Sequence, residues 1–128
     1  IRQAGFGQST AVSIGGDFVT GSSFKELLML FEEDEQTKAM VLFGELGGGY
    51  EEDAARAIKQ KKITKPVIAF IAGRFSESMP ADTQLGHAGA IIEGGRGTPS
   101  GKIKALKDAG ALVANIHSDI ADLLKQVV

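Results

Sequence analysis

The chain has 128 residues, 43% of them apolar, and a formal net charge of −2. That length supports one domain with a real core, the apolar share argues against disorder, and the charge gives no footprint for nucleic acid or an anionic membrane surface. Cysteine is absent, which excludes a disulfide framework, a thiol nucleophile and a thiolate metal site, and no metal is expected on the chain's own residues.

The longest apolar stretch, Val67–Ala72, is far short of a membrane span. No signal-peptide layout opens the chain. A cytoplasmic protein, or a mitochondrial matrix protein if eukaryotic, is the expectation. The first residue is Ile1 rather than Met, so the whole of 1–128 is read as a single domain cut from a longer subunit.

In chain order, Thr10-Ala11-Val12-Ser13-Ile14 is short and β-branched and ends in Gly15-Gly16-Asp17, which predicts a strand and a turn. Phe24, Leu27, Leu28 and Phe31 recur at helical spacing, predicting an amphipathic helix over Ser23–Asp34 capped by Ser22 or Ser23. Met40–Phe43 predicts a buried strand. Tyr50–Lys61 predicts a helix with Ala54, Ala55 and Ile58 inward. Pro66–Ala72 predicts a third strand, Gly73–Gln84 a loop, and Ser100–Ala109 a helix. Leu112–Ala114 predicts a short fourth strand, and Ile120, Leu123, Leu124 and Val127 a last helix from near Ser118. Continuous apolar strands alternating with amphipathic helices imply an α/β, flavodoxin-like three-layer domain with a mainly parallel sheet. The acidic run Glu32–Glu35 and the basic Lys61, Lys62 and Lys65 read as solvated helix ends.

Ligands bind such sheets at the carboxyl ends of the strands. Gly15-Gly16-Asp17, Gly44-Glu45-Leu46-Gly47-Gly48 and the chain from Gly73 onward all fall at that edge. Asp17 either caps the following helix or lines the edge. Beyond them stands Gly86-His87-Ala88-Gly89-Ala90-Ile91-Ile92. Small neighbours leave the His87 imidazole accessible to a bulky reactant, and imidazole is a nucleophile near neutral pH. Taken alone, the same composition also suits an ordinary glycine-rich turn. A nucleophilic histidine needs its second ring nitrogen held by an acceptor, and Glu45 at a strand end is the best candidate. His117 has no activating neighbours and reads as a surface histidine. Gly95–Lys102 imitates a phosphate-binding loop, but its glycine spacing is one residue off and Ile103 follows the lysine, so nucleotide binding there is rejected.

Gly86–Ile92 followed by Gly94-Gly95-Arg96-Gly97-Thr98 closely resembles the phosphohistidine loop of succinyl-CoA synthetase alpha subunits. Gly5–Thr10, Ile14–Asp17, Gly44–Gly48 and Thr64–Val67 match in the same order, so the resemblance covers nearly the whole chain. It implies an NDP-forming acid–CoA ligase in which ATP or GTP, with Mg, phosphorylates His87 within the loop Gly86, Ala88 and Gly89. The phosphoryl group then passes to a carboxylic acid, and CoA captures the acyl phosphate. The resemblance also implies that Glu45 faces the histidine, and that an ATP-grasp beta subunit or segment and an upstream CoA-binding domain complete the enzyme.

Two departures concern the substrate. Arg74–Leu85 is longer than the basic loop of typical succinyl-CoA synthetases, with a formal charge of −1 from Arg74, Glu77 and Asp82. Phe18 stands where those enzymes have proline. ATP-citrate lyase has a loop of about this length, so a citryl-CoA-forming enzyme stays in play while the remaining wording favours the succinyl type. A non-catalytic flavodoxin-like regulatory or binding domain is the other class considered. An aspartate phospho-acceptor domain is set aside because Gly44 and Gly73 follow the central strands.

Overall fold

The computed structural model describes residues 1–17, 19–80, 83, 92 and 96–128. Three strands form a parallel sheet in the order β1-β2-β3: β1 Met40–Gly44, β2 Val67–Ile71 and β3 Leu112–Val113. Met40 pairs with Val67 and Gly44 with Ile71, so β1 and β2 end level with one another. Among the described residues, four α-helices accompany them: α1 Phe24–Glu33, α2 Tyr50–Lys59, α3 Pro99–Ala109 and α4 Asp119–Leu124.

Strand alternation decides which side chains go to which face. Met40, Leu42, Val67, Ala69 and Ile71 meet the apolar stripes of α1, α2 and α3 in the larger core. Ile68, with Val41 and Phe70, meets Ile120 and Leu124 of α4 and the N-terminal Phe6 on the other side. The arrangement is the expected α/β, flavodoxin-like three-layer domain.

Local sequence explains the helix starts. Ser23 accepts from the Glu26 N–H, and the Glu26 carboxylate accepts from the Ser23 N–H, so a full capping box opens α1. Thr98 caps α3 with Pro99 in its first turn, one residue earlier than the expected start at Ser100.

Two further differences appear. Thr10–Ile14 does not join the sheet. Of its residues only Ile14 is even half-buried, so the run gains too little apolar burial to hold an edge strand. Lys65 and Glu32 are more than solvated ends. The Lys65 ammonium donates to the carbonyls of Phe31 (2.8 Å) and Asp34 (2.6 Å), while the Glu32 carboxylate accepts from the Thr64 hydroxyl and the Lys65 N–H. A cation at the C-terminal turn of α1 satisfies carbonyls that the helix leaves open.

Candidate functional site

β1 delivers Gly44 to the carboxyl edge, and the turn Glu45–Gly49 carries the chain into α2. Gly47 and Gly48 have φ of 83° and 60°, the left-handed region that glycine enters without strain. Beside them, a cleft of about 500 Å³ is lined by residues 12–17, by 43–48 and by Phe24 and Tyr50. Asp17 lies on this cleft, and Ser23 rather than Asp17 caps α1.

The turn is gripped from beneath. Glu51, in the first turn of α2, accepts the Glu45 N–H on Oε1 at 3.2 Å. Lys102 of α3 donates to the Glu45 carbonyl at 2.8 Å, to the Gly47 carbonyl, and to Glu51 Oε2 at 2.5 Å. Lys102 is 0% exposed and Glu51 3%. Burial pushes the Glu51 carboxyl above its ordinary value, and the Lys102 ammonium opposes that rise. A Cβ at Gly44 would overlap Glu51 Oε1 and come within 2.9 Å of Glu51 Cγ, so the close approach requires glycine there. Leu46 packs against Gly73 in the same manner, which couples the turns after β1 and β2.

His87, Gly86, Ala88 and Gly89 lie outside the described residues. The described chain downstream of them is tied to the Glu45 turn and to α2, and the described chain upstream to the start of α3. The Gly47 N–H donates to the Gly97 carbonyl at 2.8 Å, and the Gly97 N–H donates to Glu52 Oε1 at 3.0 Å. Arg96 pairs with Asp53 at 2.9 Å. On the upstream side, Arg74–Ser78 forms a 3₁₀ turn whose Glu77 carboxylate accepts the Ser100 N–H at 2.7 Å. The Ser100 hydroxyl and N–H hold the Glu77 carboxyl below its ordinary value. Glu77 therefore clamps the start of α3 and is not a spare charge of the Arg74–Leu85 loop. His117 is exposed, with its ring edge-on to Phe70 at 6.5 Å.

Sequence reasoning missed Glu51 and Lys102. The signal was present in the periodicity. Glu51 shares the inward stripe of α2 with Ala54, Ala55 and Ile58, and Lys102 shares that of α3 with Pro99 and Leu106. One acid and one base on two facing apolar stripes mark a buried pair. Lys102 in the imitation phosphate loop points into this pair, which accounts physically for the failed motif. Among the described residues, no cluster of His, Asp and Glu could hold a metal ion, and no helix is long and apolar enough to cross a membrane.

The architecture and its carboxyl-edge cleft define a flavodoxin-like α/β domain with its glycine turns at the ligand edge. Residues 1–112 match the family model described as CoA-ligase, and the chain belongs to that family. It is 52% identical over 128 residues to the succinate–CoA ligase [ADP-forming] subunit alpha 1 of Archaeoglobus fulgidus, covering 100% of this chain and 42% of the relative. It is 47% identical to an ADP-forming sulfoacetate-CoA ligase subunit of Bilophila wadsworthia, covering 100% of this chain and 43% of that one. Among solved structures, a variant ATP citrate lyase of Methanosaeta concilii in complex with (3S)-citryl-CoA superposes with a TM-score of 0.82 at 37% identity, covering 88% of this chain and 18% of that one. The chain thus spans about two fifths of the length of these curated relatives.

Proposed function

We propose that this chain is the phosphohistidine domain of an ADP-forming acid–CoA ligase of the succinyl-CoA synthetase type, working as part of an alpha subunit. The observation that carries the reading is the Glu45 turn. It sits at the level ends of β1 and β2, and a main-chain bond from Gly47 joins it to Gly97, which follows the glycine-rich stretch of His87 in the sequence. Membership of the CoA-ligase family and the relatives' printed activities support it.

In the proposed cycle an imidazole nitrogen of His87 attacks the terminal phosphorus of the nucleotide, and the nucleoside diphosphate leaves. An oxygen of the acid's carboxylate then attacks that phosphorus, giving an acyl phosphate and freeing His87. The CoA thiol, losing its proton, attacks the acyl carbon, and phosphate departs. Glu45 accepts from the second ring nitrogen, orienting the ring and stabilising its cationic form. Gly86, Ala88 and Gly89 leave room for the phosphoryl group. The nucleotide with its Mg²⁺ belongs to an ATP-grasp beta subunit or segment, and CoA to a CoA-binding domain upstream in the subunit.

Succinate is the preferred acid because the motif wording and the archaeal relative agree on it. Citrate is the second reading, favoured by the longer, less basic loop over Arg74–Leu85 and by the superposition on ATP citrate lyase. The complete enzyme carrying this chain tests both when CoA- and acid-dependent ADP or GDP release is assayed with succinate, citrate and sulfoacetate side by side. Release with succinate is the expected result. Release with citrate alone reverses the preference, and release with none of the three overturns the ligase reading.

A further inference from the structure

Both main-chain polar groups of Glu45 end on one buried ion pair. Its N–H goes to Glu51 and its carbonyl to Lys102, and Lys102 also holds the Gly47 carbonyl. A lysine ammonium has three protons, and here all three are committed: two to the turn and one to Glu51 Oε2. A buried pair is a weak source of stability, since well-packed apolar residues of similar volume are often as stable or more so. What apolar residues cannot do is donate to two carbonyls and accept an N–H of the same turn. The pair therefore does more than add stability: its three bonds to main-chain groups fix the shape of the turn.

We propose that Glu51 and Lys102 are positioning residues that fix the main chain of Glu45, and through it the direction of the Glu45 carboxylate during phosphoryl transfer at His87. Gly44 belongs to the same device, because only a residue without Cβ admits the Glu51 carboxylate beneath the turn. The Leu46–Gly73 contact and the Gly47–Gly97 bond then hold the turn from the sides. The proposal rests on the phosphohistidine reading.

The test uses the complete enzyme, labelled ATP and a rapid quench. The double substitution Glu51→Leu with Lys102→Met removes both charges together; it leaves the Glu45 N–H and the Glu45 and Gly47 carbonyls without these partners, so a lowered thermal midpoint is expected, with the enzyme still folded at the assay temperature. Its rate of acid-labile labelling is expected to fall about 10–100-fold, the scale of a slightly misplaced group, while KM for ATP moves little. Adding Glu45→Gln to that background is expected to cost far less than in wild type, because the carboxylate is already misdirected. A merely structural role would not produce that non-additivity. If the double variant does not fold, Glu51→Gln with Lys102→Met decides, since that pair leaves no buried charge and keeps an acceptor for the Glu45 N–H; the same loss of rate is expected. Wild-type labelling in a folded variant, or fully additive loss with Glu45→Gln, overturns the proposal. A wild-type enzyme that takes no acid-labile label overturns the phosphohistidine reading itself, a result distinguishable from labelled wild type beside unaffected variants.

Discussion

Two glutamate–lysine arrangements close the two ends of the sheet, and they differ in burial and in what they hold. At the carboxyl ends of the strands, Glu51 and Lys102 are buried and grip the turn that carries Glu45. At the amino ends, Glu32 and Lys65 are half-buried and tie the end of α1 to the chain entering β2. The same residue types thus hold a turn at the carboxyl edge at one end and a helix terminus at the other. Burial makes the difference: the buried ion pair is costly to break by removing one partner, whereas half-buried side chains that bond main-chain groups separately cost less to lose.

The sharpest separation of the two ends comes from rate. Glu45→Gln in the complete enzyme is expected to slow phosphorylation of His87 by about 10²–10⁴-fold. Its unfolding curve should overlay wild type. An unchanged rate in a quench experiment would remove Glu45 from the mechanism and leave the carboxyl edge no more functional than the other.

Stability separates the ends next. Lys102→Met leaves the Glu51 carboxylate buried without its partner, so a loss of about 3–5 kcal/mol is expected in urea unfolding at neutral pH. Lys65→Met removes a cation from a half-buried helix terminus and should cost only about 0.3–1 kcal/mol. Comparable losses for the two would show that burial is not what distinguishes them.

Acid titration gives the smallest effect, and the two glutamates carry opposite signs. Burial works against ionisation of Glu32, but bonds from the Thr64 hydroxyl and the Lys65 N–H outweigh it and hold the carboxyl below its ordinary 4.5. Its stabilising contribution is therefore complete above the unfolded value and is lost as pH falls through the folded one. Glu51 is raised by burial, so its own contribution weakens as pH climbs from 4.5 through its folded value. Glu32→Gln should flatten the acid side of the stability profile. A profile as steep as wild type below pH 4.5 would contradict the bond pattern at the amino end.

Most of the scaffold was legible because it rests on periodicity. Leu28, Ala54, Ala55 and Ile58 all lie in the core that their spacing indicates, and the glycines after β1 and β2 stand at the carboxyl edge of the sheet. What escaped depends on tertiary partners. The Thr10–Ile14 run has strand-like residues but no burial to secure it. Glu77 looked like loop charge until Ser100 folded beside it. Glu51 and Lys102 are unremarkable singly and are recognisable only when two helix stripes are read against each other. Glu45 was legible as a strand-end acid, but the pair that holds its main chain was not.

The most direct measurement of the central claim is phosphate trapping on His87. The complete enzyme, given labelled Mg-ATP or Mg-GTP without acid or CoA and then quenched, should carry label that is stable in base and lost in acid, and His87→Asn should carry none. Label that survives acid, or that persists in His87→Asn, would contradict the assignment of the carboxyl edge to phosphoryl relay.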